Sequence, residues 1–288
     1  MTKAPQTSDG GFFDAHVHLT DPRAADHAAE IIALHAEQGI GRFLLGGFDS
    51  EDWARQDTLR DQFPDKIFMC AGVHPWVVAR NSREFGLAEL AKLEARLADP
   101  VLRPAAIGEV GIDLSHGSLV RARDDQMAVV RAQLDLARTH QLPVILHCVK
   151  GNSRLIQELR RVRDDIPGAL VHGFAGDPVF ARELVDLKVL VSMGPRSMAK
   201  VAPDVLAMIP DELVAIESDA PLVAPREGGP AHGCDPRYLL AVADWLAEER
   251  AMTRDELLAL STQNVERLLG LESTQNVTHK RAADTEEE

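Results

Sequence analysis

Short apolar runs alternate along this chain with stretches whose apolar residues recur every three or four positions, a strand–helix alternation. The first run, Phe12–Phe13–Asp14–Ala15–His16–Val17–His18–Leu19, breaks at Thr20–Asp21–Pro22. Helical spacing follows over Ala24–Gln38 through Ala28, Ile31, Ile32 and Leu34, with Gly39 as the stop. Arg42–Leu45, closed by Gly46–Gly47, reads as a second strand, and Ser50 caps a helix to about Phe63, ahead of Pro64. Ile67–Val73 is a third strand leading to His74–Pro75–Trp76. A helix over Arg83–Leu97 precedes a fourth strand that opens at Pro104–Ile107 and finishes in Gly108–Glu109–Val110–Gly111–Ile112–Asp113.

The second half repeats the alternation. Helices are predicted over Asp124–His140, Ser153–Arg163 and Pro178–Leu187, with another before the eighth strand. The intervening strands are Pro143–Leu146 ending in His147, Ala169–Val171 ending in His172, Val189–Met193, and Leu213–Ile216 running into Glu217–Ser218–Asp219–Ala220–Pro221. Asp235–Glu249 and Thr253–Leu269 close the chain, the latter with Thr253 and Glu256 in a capping-box pattern. Eight strand–helix units in about 260 residues fit one α/β domain, a (β/α)8 TIM-type barrel with an additional C-terminal helix. A doubly wound open sheet is the alternative, but no glycine fingerprint follows the first strand. The barrel is expected over residues 11–271, with a flexible N-terminus at 1–10 and a disordered acidic tail at 272–288.

Composition narrows the setting. A 45% hydrophobic and 26% charged chain is typical of a soluble globular protein. There is no apolar run long enough for a membrane span and no signal-peptide core, and Cys70, Cys148 and Cys234 form no CxxC pair. The expectation is a cytoplasmic protein with reduced thiols and no membrane partner. The net charge of −14 argues against a long basic groove for nucleic acid. Any nucleic-acid substrate is therefore gripped at a small site.

Candidate chemistry gathers at strand ends, where barrel active sites lie. Side chains two apart on a strand share a face, so His16 and His18 present two imidazoles together. His74, Glu109, His147, His172 and Asp219 occupy the corresponding positions of the later strands. Imidazole and carboxylate ligands suit Zn, Mn, Fe or Mg. The residues suffice for two divalent ions: His16, His18 and Asp219 for one, His147 and His172 for the other, Glu109 between. Each residue alone has a plainer reading as a polar strand end, a loop charge or a turn residue.

With these pieces in order, the chain resembles the TatD family of metal-dependent hydrolases, a branch of the amidohydrolase-type barrels. The matching motifs are Asp14–His18, Ala71–Pro75, Ala106–Asp113, Leu142–His147, Val171–Gly176, Glu217–Pro221 and Asn264–Gly270. The resemblance implies a divalent-metal hydrolase, commonly a DNase or exonuclease, with single-stranded DNA or RNA ends as substrate. It implies that Glu109 bridges two metal ions (Mg, Mn or Zn), that Asp219 is both ligand and catalytic carboxylate, and that His74 lies beside the scissile phosphate. Family members often carry Arg two residues after the fifth-strand His and His three beyond that; here Val149 and Asn152 stand there. Lys150 or Arg154 is expected to supply the cation instead.

Around that set, Trp76 reads equally as a stacking platform for a base or as an apolar rim residue. His27, His35, His140 and His279 read as surface or packing residues, while His116 and His232 sit in predicted rim loops. Arg226–Pro230 reads as a surface loop, with a lid as the alternative. Phosphodiester hydrolysis is the leading function, followed by hydrolysis of an ester or amide in a small or tRNA-linked substrate. A non-catalytic binding barrel comes last, since every ligand is present.

Overall fold

The computed structural model describes residues 10–221 and 234–271. The first barrel strand is Phe12–Val17 and the second Ile40–Leu45. The third is split at Met69 into Ile67–Phe68 and Cys70–Ala71, so the continuous strand expected over Ile67–Val73 is interrupted. The fourth to eighth are Ala106–Asp113, Val144–Val149, Ala169–Val171, Leu190–Met193 and Val214–Ile216. Neighbours pair in parallel in chain order. Asp219 N–H donates to His16 O (3.0 Å) and His18 N–H to Ala220 O (2.8 Å), joining the eighth strand's end to the first and closing the (β/α)8 barrel.

Outward strand residues such as Phe43, Ile107, Leu146, Val171, Val191 and Ile216 pack on the surrounding helices. A second apolar cluster takes Leu44, Cys70, Ala106, Ile145, Leu170, Leu190 and Ala215, one from each of the second to eighth strands. Such a layer is the plug of a filled barrel. The helix Arg254–Leu269 seals its lower end with Val265. Thr262 Oγ1 accepts from Phe13 N–H (3.0 Å), Ser261 Oγ from Ile216 N–H (2.9 Å), and Asn264 Nδ2 donates to Val214 O (2.8 Å). The expected capping box of this helix is present at Thr253 and Glu256.

Two positions depart from the sequence pattern for identifiable reasons. In the helix Ala28–Ala36 the buried face is Ala28, Ile31, Ile32 and His35, while Leu34 is exposed. His35 fills the i+7 position because its Nδ1 meets Ile31 O at 2.9 Å, which removes part of the cost of burying imidazole. Short helices at Pro75–Arg80 and Gly117–Arg121 were not expected, since five or six residues are too few to display a helical period. No helix among the described residues is long and apolar enough to cross a membrane. Residues 1–9 of the N-terminus expected at 1–10, the tail expected at 272–288, the lid alternative at 226–230, His232 and His279 lie outside the described residues.

Candidate metal centre

The site is the layer immediately above the apolar plug. Two residues beyond each plug side chain, on the same face of its strand, come Gly46, Gly72, Gly108, His147, His172, Ser192 and Glu217. Two further on come His74, Val149 and Asp219. Ligand-type side chains thus crowd one half of the layer, and glycines leave room in the other. The register breaks between Ile107 and Val110, and such a bulge re-aims a side chain. Glu109 consequently projects inward from within the fourth strand, whose closing stretch the sequence pattern also runs through Gly108–Asp113. The first strand is likewise irregular between Asp14 and Val17, just where His16 sits.

Glu109 stands at the centre, 1% exposed, with its two oxygens facing different nests. Oε1 lies 3.6 Å from His16 Nε2 and 3.5 Å from His18 Nε2; those two nitrogens are 3.2 Å apart. Asp219 Oδ1 completes this nest, 3.5 Å from His18 Nε2. Oε2 lies 2.7 Å from His172 Nε2, 3.3 Å from His147 Nδ1 and 3.6 Å from His74 Nε2. His16 and His172 stack at 3.9 Å between the nests. Asp219 has φ of 48°, a left-handed conformation that aspartate tolerates better than most residues. It is fixed at its own N–H and, through Ser218 N–H to Asp14 Oδ1 (2.9 Å), at its neighbour's.

These residues fit a cation. Glu109 Oε1 and Asp219 Oδ1 are buried and accept no hydrogen bond, a costly state for carboxylate oxygens. An ion with N and O ligands at about 2.0–2.2 Å spaces those ligands by about 3.3–3.6 Å, close to the 3.2–3.6 Å found in the first nest. A Cβ on Gly46 would meet His18 Cε1 at 2.5 Å, His16 Cε1 at 2.7 Å and Glu109 Oε1 at 2.8 Å, so only glycine leaves the ligands in place. Three sets of potential ligands have their atoms within 4.8 Å of one another: His16–His172–Asp219, His16–His18–Glu109 and His74–Glu109–His147.

Electrostatics divides the histidines. Burial opposes a charged His18, but the Asp219 and Glu109 carboxylates outweigh it and raise its pKa to about 9. Burial likewise opposes charge on His147, which Asp113 and Glu109 lift to about 9. Burial and the facing His172 push His16 down to about 4, and burial holds His74 well below the usual range. Burial would raise Glu109, yet the surrounding imidazoles, His172 foremost, hold it well below a normal carboxylate. Burial also raises Asp14 to about 7 and Glu217 well above its ordinary value.

A proton-linked metal affinity follows. At pH 7 the metal-free protein carries protons on His18 and His147, both with pKa about 9, and an ion must displace them. Apparent affinity should therefore rise with pH until about 9, by up to about tenfold per unit for each displaced proton. Calorimetric titration at pH 7 in buffers of different ionisation enthalpy should count about two protons released; no release would contradict this charge distribution.

Sequence reasoning passed over Asp113. Its Oδ2 lies 3.2 Å from His147 Nε2 and accepts from Trp76 Nε1–H (2.8 Å), while Oδ1 accepts from Ser115 N–H (2.7 Å). Holding a proton on His147 Nε2 leaves Nδ1 as the lone pair directed at the second nest. Asp113→Asn is expected to weaken metal binding about 10- to 100-fold, read by competition with a chromogenic chelator. Unchanged affinity would remove Asp113 from this role.

The centre opens into a cavity of about 730 Å³, within the usual range for ligand sites. His18, His74, Trp76, Glu109, His147, Val149, His172 and Asp219 line it; Lys150, Arg154 and His116 do not and are exposed. Among the described residues the lining cations are Arg23, Arg55, Arg80 and Arg196. For Arg80 a signal did exist: Pro75 is a helix-start residue, and Trp76 and Arg80 then share a face at i, i+4. Trp76 is half-buried, its ring edge against His74 at 5.3 Å. His27 and His140 do not reach the site, and Cys148 turns outward to Asn152 Oδ1 (3.4 Å).

A family model described as TatD related DNase matches residues 13–270 of this chain. The chain is 30% identical over 261 residues to the uncharacterized metal-dependent hydrolase YabD of Bacillus subtilis, spanning 89% of this chain and 98% of that one. It is 28% identical over 267 residues to the 3′-5′ ssDNA/RNA exonuclease TatD of Citrobacter rodentium, spanning 90% and 98%. The solved structure of YjjV, a TatD homologue from Escherichia coli K12, has the same fold: TM-score 0.77 at 24% identity, over 91% of this chain and 98% of that one.

Proposed function

Because this chain belongs to the family of TatD related DNases, we propose that it is a two-metal 3′-5′ exonuclease acting on phosphodiester bonds of single-stranded DNA or RNA ends. The observation that carries this reading is the Glu109 carboxylate, whose two oxygens face separate histidine nests. His16, His18, Glu109 and Asp219 would hold one ion, and Glu109, His147 and His172 the other. Mg, Mn and Zn all suit these ligands. Bound ions supply positive charge that acidifies a water and offsets the charge of an in-line displacement.

The remaining chemistry belongs to side chains. The Asp219 carboxylate, ionised at neutral pH because His18 opposes the effect of burial, takes the proton of the attacking water. His74 accepts Trp76 N–H at Nδ1 (3.1 Å), which places its proton on Nε2. Neutral His74 thus offers a donor to an oxygen of the scissile phosphate. Glu109 keeps the two nests in register.

Val149 in the cavity wall favours a second reading, in which the same centre opens an ester or amide of a small or tRNA-linked substrate. It supplies an apolar surface where the family resemblance calls for arginine. A panel of labelled single-stranded DNA, RNA, carboxylic esters, lactones and amides separates the two. Metal-dependent turnover confined to phosphodiesters supports the nuclease; turnover confined to esters or amides replaces it.

A further inference from the structure

The four arginines of the cavity are not equivalent. Arg23 is forked on Asp21 (2.8 and 2.9 Å), and Arg55 lies 3.4 Å from Asp52. Arg80 and Arg196 have no carboxylate partner among the described residues. Arg80 is instead held over aromatic faces, 5.0 Å from the Trp76 ring centre and 5.9 Å from that of Phe48. Cation–π contact orients a guanidinium while leaving its five N–H donors for an acceptor. Arg196 follows Pro195 in the short helix Pro195–Lys200. Its backbone is anchored next door, where Ser197 Oγ donates to Phe174 O (2.6 Å) and accepts from Gly194 N–H (3.0 Å).

Topology then sets their relation. Arg80 follows the third strand and Arg196 the seventh, half a turn apart in a closed eight-stranded barrel. The Glu109-centred nests lie between them. The rim after the first and second strands carries Asp21, Asp49, Glu51 and Asp52 against Arg23 and Arg55, a net negative lining that disfavours a polyanion in that quadrant. On a chain of net charge −14, an anionic strand must be gripped by such local cations.

Resting on the nuclease reading, we propose that Arg80 and Arg196 bind the two backbone phosphates that flank the scissile one, spanning the barrel mouth from opposite sides. For an exonuclease that removes the terminal nucleotide, the flanking phosphate on the 3′ side exists only as a 3′-phosphate, so the substrate class is a strand end that carries one. Trp76, beside Arg80, is placed to stack on the intervening base. The two arginines replace, from the rim, the cation that Val149 does not provide.

The test is a cycle between protein and substrate charge. 5′-Labelled single-stranded DNA ending in a 3′-phosphate is prepared in two further forms, one with a neutral methylphosphonate on the 5′ side of the scissile linkage and one with a 3′-hydroxyl in place of the 3′-phosphate. With uniformly charged DNA, Arg80→Ala and Arg196→Ala should each lower kcat/KM about 10- to 100-fold, with the loss in KM, and Arg80→Lys should recover part of it. Each alanine variant should also reduce the slope of log affinity against log salt by about 0.7. One of these charge removals should cost nothing further in Arg80→Ala and the other nothing further in Arg196→Ala, although both slow the wild type. Losses that add in every combination, or an unchanged salt slope, overturn the arginine assignment while leaving the nuclease intact. A wild type that cleaves esters or amides but no DNA overturns both.

Discussion

Glu109→Ala is expected to lower metal-dependent kcat/KM by about a thousandfold or more, corresponding to about 4 kcal/mol of charge stabilisation lost, while the barrel stays folded. Both nests depend on this one side chain: His16 and His18 face one oxygen, His147, His172 and His74 the other. Its removal leaves five imidazoles around a void, so cation binding falls with activity. Glu109→Gln separates charge from shape, because the amide keeps the volume but not the negative charge that would offset the two proposed cations. Metal analysis of both variants beside circular dichroism checks the claim. A Glu109→Ala protein that keeps both ions and turns over normally would show that Glu109 is not the bridge.

Asp219→Asn is the second large effect and has a different signature. The side chain keeps its size, and its backbone N–H remains bonded to His16 O. The group proposed to take the proton from water is gone. The loss should fall on kcat, by about 10²–10⁴, with KM little changed. His18 should respond too, because Asp219 is the strongest influence raising it against burial. In the metal-free variant the pKa of His18 should fall from about 9, which histidine NMR titration would follow. A variant within about threefold of wild-type kcat would remove Asp219 from proton transfer.

Much of this was legible in the chain because barrels repeat themselves. Each unit delivers its strand end to the same rim, so His16, His18, His147, His172 and Asp219 converge by topology alone. Glu109 was legible as a residue of the fourth strand's closing stretch, but the register break between Ile107 and Val110 that re-aims it was not, because apolar periodicity does not encode a bulge. Asp113 was hidden for a related reason. Only the paired fourth and fifth strands bring it to His147 Nε2, and it is otherwise one more acid at a strand end.

The cations were the least legible. Lys150 and Arg154 follow His147 closely in sequence but stay outside the cavity, whereas Arg80 and Arg196 reach it from other units. Loop and short-helix paths decide which side chain arrives, and those paths depend on contacts such as Arg80 with Trp76 or Ser197 with Phe174. His35 in place of Leu34 on a buried helix face is a smaller case, settled by one backbone acceptor.

The central claim is that this rim cleaves strand ends through metal-assisted attack with Asp219 as base. Its most direct test is label release from 3′- and 5′-labelled single-stranded DNA with Mg, Mn, Zn or EDTA, beside Asp219→Ala. The account predicts release that begins with the 3′ label, requires a divalent ion and disappears in the variant. No release with any ion from a protein that binds two ions, or release at the wild-type rate by Asp219→Ala, would contradict it.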